Sequence, residues 1–496
     1  MIKNKQPEVS QEAPVTAAAM EAVFSDCYDF ESRELNIGGN PGNTVRLCFI
    51  DGLVSGSDVA EQVIRPLTDP GRFGANVRGE QAAAMLLGGS VYVYTSKCRR
   101  KLGEAVEDLL NGFCALIFDS QGEAVTFEVK SQQRRSVDAP KEEKVVKGAK
   151  DAFVETLKVN TTLVRRKLRN PHLKIREFTL GERARSAVAL VYIDGFTNPD
   201  LVAEAGRRIS AIRAEGVLTS AVIEENIVDN YRSPFPQTIS TERSDKFCLN
   251  ILEGRVGILA DGLPLGFLAP GTFSQFMKVP EDHSGHFLVA SALTILRYLS
   301  AVLTLLAPAF YVAVAMYHQE MIPTRLMQSM IESRSSVPFP TAAEVILMLL
   351  AFELLQEAGI RLPSPIGETV SIIGALIVGQ SAVEARVVSP VVVVVIALAG
   401  IAGYTMPNQD MGSALRLCRF LLVLAAIFLG MFGVATGCAI LVYHLAGLES
   451  YGVPYMSPFA GSEGRHLSRA LLRRSMAVKR DREPELHTGR GGEAKL

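Results

Sequence analysis

The chain has no tryptophan and almost no net charge, with 51 Lys and Arg against 52 Asp and Glu. Without a basic excess there is no field to hold a phosphate backbone, so no nucleic-acid partner is expected. The seven cysteines, Cys27, Cys48, Cys98, Cys114, Cys248, Cys418 and Cys438, include no CxxC pair. That spacing excludes the common zinc and redox motifs and points to reduced thiols rather than a disulfide frame. The seven histidines form neither HxxxH nor HExxH, and there is no Walker-type phosphate loop and no GxSxG elbow. No catalytic residue, metal site or cofactor is therefore expected, and the chain does not read as an enzyme. The opening MIKNKQPEVSQEAPV lacks an apolar core of signal-peptide length. Nearly 280 residues pass before long apolar runs begin, so the first part is expected to stay cytosolic.

What is there, first, is a repeat. CFIDGLVSGSDVAEQVI resembles VYIDGFTNPDLVAEAGRRI, with Ile50-Asp51-Gly52 matching Ile193-Asp194-Gly195. Further on, Leu110, Gly112 and Asp119 match Leu252, Gly254 and Asp261. A β-branched run ending in Asp-Gly reads as a strand and a turn. Leu201, Val202, Ala205 and Ile209 then share one helical face, with Asn198 as cap and Pro199 in the first turn. Asp51 and Asp194 are either turn residues or ligands. Two similar α/β subdomains are expected, at 41–140 and 172–285, after a poorly ordered segment over 1–40. A helical connector over 141–171 joins them, and its Arg165-Arg166-Lys167 either faces solvent or meets anionic headgroups or acidic protein.

Second, apolar segments crowd the region 286–446: Leu299–Met316, Ala342–Leu355, Thr369–Val383, Val387–Met406 and Phe420–Tyr443. The first, fourth and fifth have the length of spans. Gly430, Gly433 and Gly437 lie close to one face of the fifth, which suits close helix approach. A basic tail over 447–496 favours the cytosol by the positive-inside tendency. With both ends cytosolic the number of crossings is even, and the short acidic second segment is the candidate re-entrant element. The fold class is thus a soluble α/β region followed by an α-helical polytopic membrane domain. Glu344, Glu353 and Glu357 in the second segment either anchor at the interface or pair with Arg361 and Arg386, or they line a cation path.

The stretch 317–390 carries the islands EMIPT, SRSSVPFP, FELLQEAGIRLP and IGETVSIIGALIVGQSAVEA. With KGAKDAFVETLKVNTTLVRRKLRN and YIDGFTNPDLVAEAGRRI, it closely resembles the A subunit of the GerA family of spore germinant receptors. Arg386 stands where the family usually has a small residue. The resemblance implies a subunit of a nutrient receptor in the spore inner membrane. Its partners would be a transporter-like, nutrient-binding B subunit and a lipoprotein C subunit. It further implies oligomerisation into a nutrient-gated channel for monovalent cations. Within that picture the third segment is the expected pore wall. Ser371, Ala375, Val378 and Ala382 follow one helical face, with Glu368 and Glu384 near its mouths; tight packing of small residues is the other reading of that face. A non-conducting scaffold and a secondary transporter are the alternative functions.

Overall fold

The computed structural model describes residues 10, 12–39, 43–69, 71, 79–88, 95–131, 140, 143, 148–361, 374, 377–460, 470–473 and 486. These fall into two compact units. One takes in described residues within 1–229, 238–270 and 481–496, the other those within 230–237 and 271–480.

The first unit holds two five-stranded antiparallel sheets. The first runs β1 (Phe30–Asn36), β2 (Thr44–Ile50), β3 (Ser96–Arg99), β4 (Phe113–Phe118) and β5 (Glu123–Glu128) in chain order, and pairs as β1-β2-β4-β5-β3. The second contains β6 (Leu173–Leu180), β7 (Ser186–Ile193), β8 (Ile239–Thr241), β9 (Val256–Ala260) and β10 (Gly266–Ala269), and pairs as β6-β7-β9-β10-β8. The order is the same one repeat later. The helices match too: α1 (Ala17–Val23), α2 (Gly79–Leu87) and α3 (Leu102–Leu110) in the first repeat correspond to α4 (Leu157–Lys167), α6 (Ser220–Ile227) and α7 (Ser244–Leu252) in the second. Between α4 and α6, α5 (Pro199–Ala211) stands where the first repeat has a mixed helical stretch over 56–68.

Strand period explains the core. Side chains alternate across a sheet, and β4 (FCALIF) is buried at every position. Cys114, Leu116 and Phe118 join one apolar cluster with Val45, Leu47 and Phe127. Ala115 and Ile117 join the other, with Cys48, Ile50 and the α3 residues Ala105 and Leu109. A strand covered on both faces has no polar face, which is why it reads as an uninterrupted apolar run.

The matched Asp residues have one job in both repeats. Asp119 accepts the Ala17 N–H at 2.7 Å, and Asp261 accepts the Leu157 N–H at 2.9 Å. Each thus satisfies an otherwise orphaned donor at the start of α1 or α4. Gly52 and Gly195 follow β2 and β7 with φ of +86° and +71°, the left-handed turn that the Asp-Gly signal implies.

Arg165, Arg166 and Lys167 do not form a surface patch. Arg165 is buried, holds Asp29 through two hydrogen bonds of 2.7 and 2.9 Å, and donates to the Leu173 carbonyl at 2.8 Å. Arg166 donates to the Ser131 carbonyl, and Lys167 pairs with Asp151. The basic run closes contacts within its own unit because α4 packs among the strands rather than standing free.

The second unit is helical: α8 (Phe287–Tyr317), α9 (Thr324–Arg334), α10 (Thr341–Arg361), a described stretch over 377–384, α11 (Pro390–Tyr404) and α12 (Gln409–Ala446). Among the described residues, α8 and α12 are long and apolar enough to cross a membrane by length and composition. Pro308 lies inside α8.

Candidate functional site

The chain reverses inside α12. Gly430 has φ +59° and ψ −139°, outside the helical region. A Cβ on Gly433 would stand 2.1 Å from the Ala425 carbonyl oxygen, and one on Gly437 would stand 2.5 Å from a Leu422 methyl. Residues eight and fifteen positions apart meet only if the two arms, 409–429 and 431–446, fold back on each other. The segment Phe420–Tyr443 is therefore interrupted at Gly430 and is not one continuous helix. The three glycines do serve close approach, but within a hairpin. Only about ten residues of the apolar run lie in the first arm, about 15 Å at helical rise, against ~30 Å of hydrocarbon.

Breaking a helix frees backbone groups, and a freed group in an apolar setting is costly. One of them, the Ile427 carbonyl, accepts the Tyr317 hydroxyl at 2.5 Å. The ring of Tyr317 also fills the space beside Gly430, 3.0 Å from where a Cβ would stand. The end of α8 therefore supports the reversal of α12.

Two carboxylates of α10 lie among these helices, each with arginine. Glu353 faces Arg416 at 3.6 Å and Arg419 at 3.5 Å, both on the first arm of α12. Arg419 is buried although charged, and it shares the one carboxylate of Glu353 with Arg416. Glu344 is fully buried, accepts the Ser389 N–H at 2.7 Å, and lies 3.6 Å from Arg334. It thereby meets the positive end of α11, where an anion is favoured. The arginine partners of Glu344 and Glu353 are thus Arg334, Arg416 and Arg419. Arg386 is exposed with φ +56°, and the side chain of Arg361 lies outside the described residues. Glu357 is exposed.

Glu368, Ser371 and Ala375 lie outside the described residues. Val378 is 36% exposed, while Ala382 packs partly against the apolar cluster of α8, α10, α11 and α12. Glu384 is exposed and accepts from Gln380 at 2.9 Å, one helical turn back. No group of three or more metal-type ligands occurs among the described residues. Reasoning from sequence missed Tyr311, Tyr317, Arg334, Ser389, Arg416 and Arg419. The available signal was Arg416 and Arg419, three residues apart on one helical face just before an apolar run.

Residues 18–485 match the family described as Bacillus/Clostridium GerA spore germination protein. The chain is 36% identical over 472 residues to membrane protein YfkQ of Bacillus subtilis, covering 92% of this chain and 90% of that one. It is 35% identical over 441 residues to spore germination protein KA of Bacillus subtilis, covering 89% and 80%. Spore germination protein GerLA of Bacillus cereus is 33% identical over 461 residues, covering 93% and 92%. Among solved structures, the N-terminal domain of the A subunit of the Bacillus megaterium spore germinant receptor GerK3 aligns with a TM-score of 0.43 and 24% identity, over 53% of this chain and 98% of that one. The chain belongs to the GerA family of spore germination proteins, as an A-subunit type.

Proposed function

We propose that this chain is the A subunit of a nutrient germinant receptor, with its helical unit set in the spore inner membrane and its α/β unit and tail in the cytosol. Copies assemble around a path for monovalent cations that opens when a transporter-like B subunit binds nutrient; a lipoprotein C subunit completes the complex. Membership of the spore germination family supports the receptor role. The single observation favouring a membrane setting is the pairing of apolar outside with charged inside. Phe428, Phe432, Leu354 and Tyr443 are exposed, while Glu344 and Arg419 are buried. Water-soluble proteins arrange these the other way round.

The third apolar segment remains the proposed wall of the path, with Glu368, Ser371, Ala375, Val378, Ala382 and Glu384 along it. Nutrient drives opening only through its different affinity for the closed and open states. The scaffold reading has one observation in its favour: Glu344 and Glu353 are already met by arginine, so neither is a free carboxylate on an ion path in this conformation. The test is K⁺ or Na⁺ release from spores after germinant addition, comparing wild type with Ala375→Leu and Val378→Phe. Altered release with normal assembly supports a conducting third segment. Unchanged release in both turns the assignment to the scaffold.

A further inference from the structure

Four elements of the helical unit bring polar atoms to one buried place. Tyr311 Oη from α8, Arg334 Nε from α9, Glu344 Oε1 from α10 and Ser389 Oγ at the start of α11 are all buried and have no hydrogen-bond partner in the protein. Glu344 and Ser389 have no exposed surface at all. They are tied together, since Glu344 Oε2 accepts the Ser389 N–H at 2.7 Å. The Tyr311 hydroxyl lies beside that of Ser389. Arg334 Nε lies 3.6 Å from Glu344 Oε1, an ionic contact too long for a hydrogen bond.

Buried polar atoms usually find partners, because leaving one unmade costs its full desolvation. Here the four face one another only as a long ionic contact and two neighbouring hydroxyls, which leaves three oxygens with bonding capacity for a ligand. The three oxygens are Glu344 Oε1, Ser389 Oγ and Tyr311 Oη, one of them anionic. Hard cations take oxygen ligands, and a single carboxylate balances a single positive charge. A divalent ion usually collects more acidic oxygens than this. An anion is disfavoured, because Glu344 already fills the positive end of α11.

Arg334 differs from the other three. It sits in the last turn of an exposed eleven-residue helix whose one buried residue is Met330, and its own side chain is 28% exposed. Its guanidinium meets Glu344 from the partly exposed side.

We propose that Glu344, Ser389 and Tyr311 form a binding site for a small monovalent metal cation, and that Arg334 is a tethered competitor which masks it. With Arg334 in place the carboxylate is compensated and the site is closed to ions. With Arg334 withdrawn, Na⁺ or K⁺ takes over the compensation. Binding stands on the local chemistry alone; its use as a gate rests on the cation-path reading above.

The full-length protein, purified in detergent, is heated in NaCl, KCl or N-methylglucamine chloride at one ionic strength. Wild type should unfold at the same temperature in all three salts. Arg334→Gln should gain a saturable rise of about 2–4 °C in NaCl or KCl but not in N-methylglucamine chloride. The double variant Arg334→Gln with Glu344→Gln should lose that rise. An Arg334→Gln response equal in all salts overturns the proposal and leaves the cluster to water. A double variant that still responds overturns it as well, by placing the cation elsewhere. Should Arg334→Gln not accumulate, Arg334→Met removes the charge at similar length and the same saturable cation response is expected; none counts against the site. Germinant-triggered cation release from spores carrying Arg334→Gln is measured separately. Normal release with cation binding intact removes the gating role and the cation-path reading at this position, while the site stands.

Discussion

The two α/β repeats share every strand pairing, yet they fill the same space with different atoms. In the first, Ala105 on α3 faces Ala115 and Ala124 on β4 and β5, all fully buried. At the equivalent places in the second stand Phe247 on α7 and Gly257 and Gly266 on β9 and β10. The register confirms the match, because Ile117 pairs with Ala124 as Leu259 pairs with Gly266. A Cβ on Gly257 would stand 2.2 Å from the Phe247 ring, and one on Gly266 would stand 2.6 Å from it. Three methyl groups in one repeat have become one phenyl ring over two bare backbones in the other. The glycines clear the space that the ring enters, which is local complementarity of the kind close packing requires. Polar interiors diverge in the same way. Asp108 of the first repeat is held by Arg99 at 2.8 Å and Thr126 at 2.7 Å, whereas Asn250 takes its place in the second and donates to the Lys246 carbonyl.

The largest expected effect breaks the link between the repeats. Arg165→Ala leaves Asp29 buried and uncompensated and should cost about 3–5 kcal/mol. Arg165→Lys should rescue little, because an ammonium cannot reproduce the two-pronged contact. Denaturant titration of the purified chain gives the loss, and hydrogen exchange should show β1 and β6 losing protection together. Phe247→Ala is next, at about 3 kcal/mol, since no neighbouring side chain on β9 or β10 can fill the hole. Gly257→Ala should cost about 1–3 kcal/mol by pushing into the ring. In a Phe247→Ala background the same change should be close to neutral, and that coupling is the sharp test of shared volume. In the first repeat, Ala105→Phe alone should destabilise, and adding Ala115→Gly and Ala124→Gly should recover part of the loss. If the triple variant is worse than Ala105→Phe, the first repeat cannot adopt the ring-over-glycine packing of the second.

The smallest effect is electrostatic. Hydrogen bonds from Arg207 and Arg208 hold the Glu204 carboxyl down to about 2 against an opposing desolvation effect. Its folded value lies below its unfolded value near 4.5. The stabilisation is therefore complete above about pH 5 and is lost as pH falls toward 2. Glu204→Gln should flatten the stability profile over that window and leave it unchanged at neutral pH apart from the lost pair. An acid limb of the same slope in the variant would assign it to other carboxylates.

The repeat was legible because its turns are local. Asp-Gly after an apolar run names its own conformation, and Leu110, Gly112 and Asp119 recur at one fixed offset. The kinship of α1 and α4 was not legible, since helix faces tolerate many apolar choices and the common feature is an Asp about a hundred residues away. Gly430 was hidden for a related reason. Glycines three and four apart satisfy a straight packing face and a hairpin equally, and only the dihedral angles at one of them decide. Glu353 with Arg416 and Arg419, and Glu344 with Arg334 and Ser389, join different helices. Charge spacing within a single helix marked Arg416 and Arg419 as a pair but carried no information about which carboxylate they meet.

The bond between the repeats also sets a clock on synthesis. Tyr28 donates its N–H to the Ile175 carbonyl at 3.0 Å, and Asp29 meets Arg165, 136 residues later in the chain. At roughly 5–20 residues per second, the ribosome needs about 7–27 s to supply that partner. For that interval the first repeat carries an unmatched carboxylate and an unpaired segment before β1. Until the second repeat emerges that carboxylate stays hydrated, and burial of Asp29 waits for Arg165.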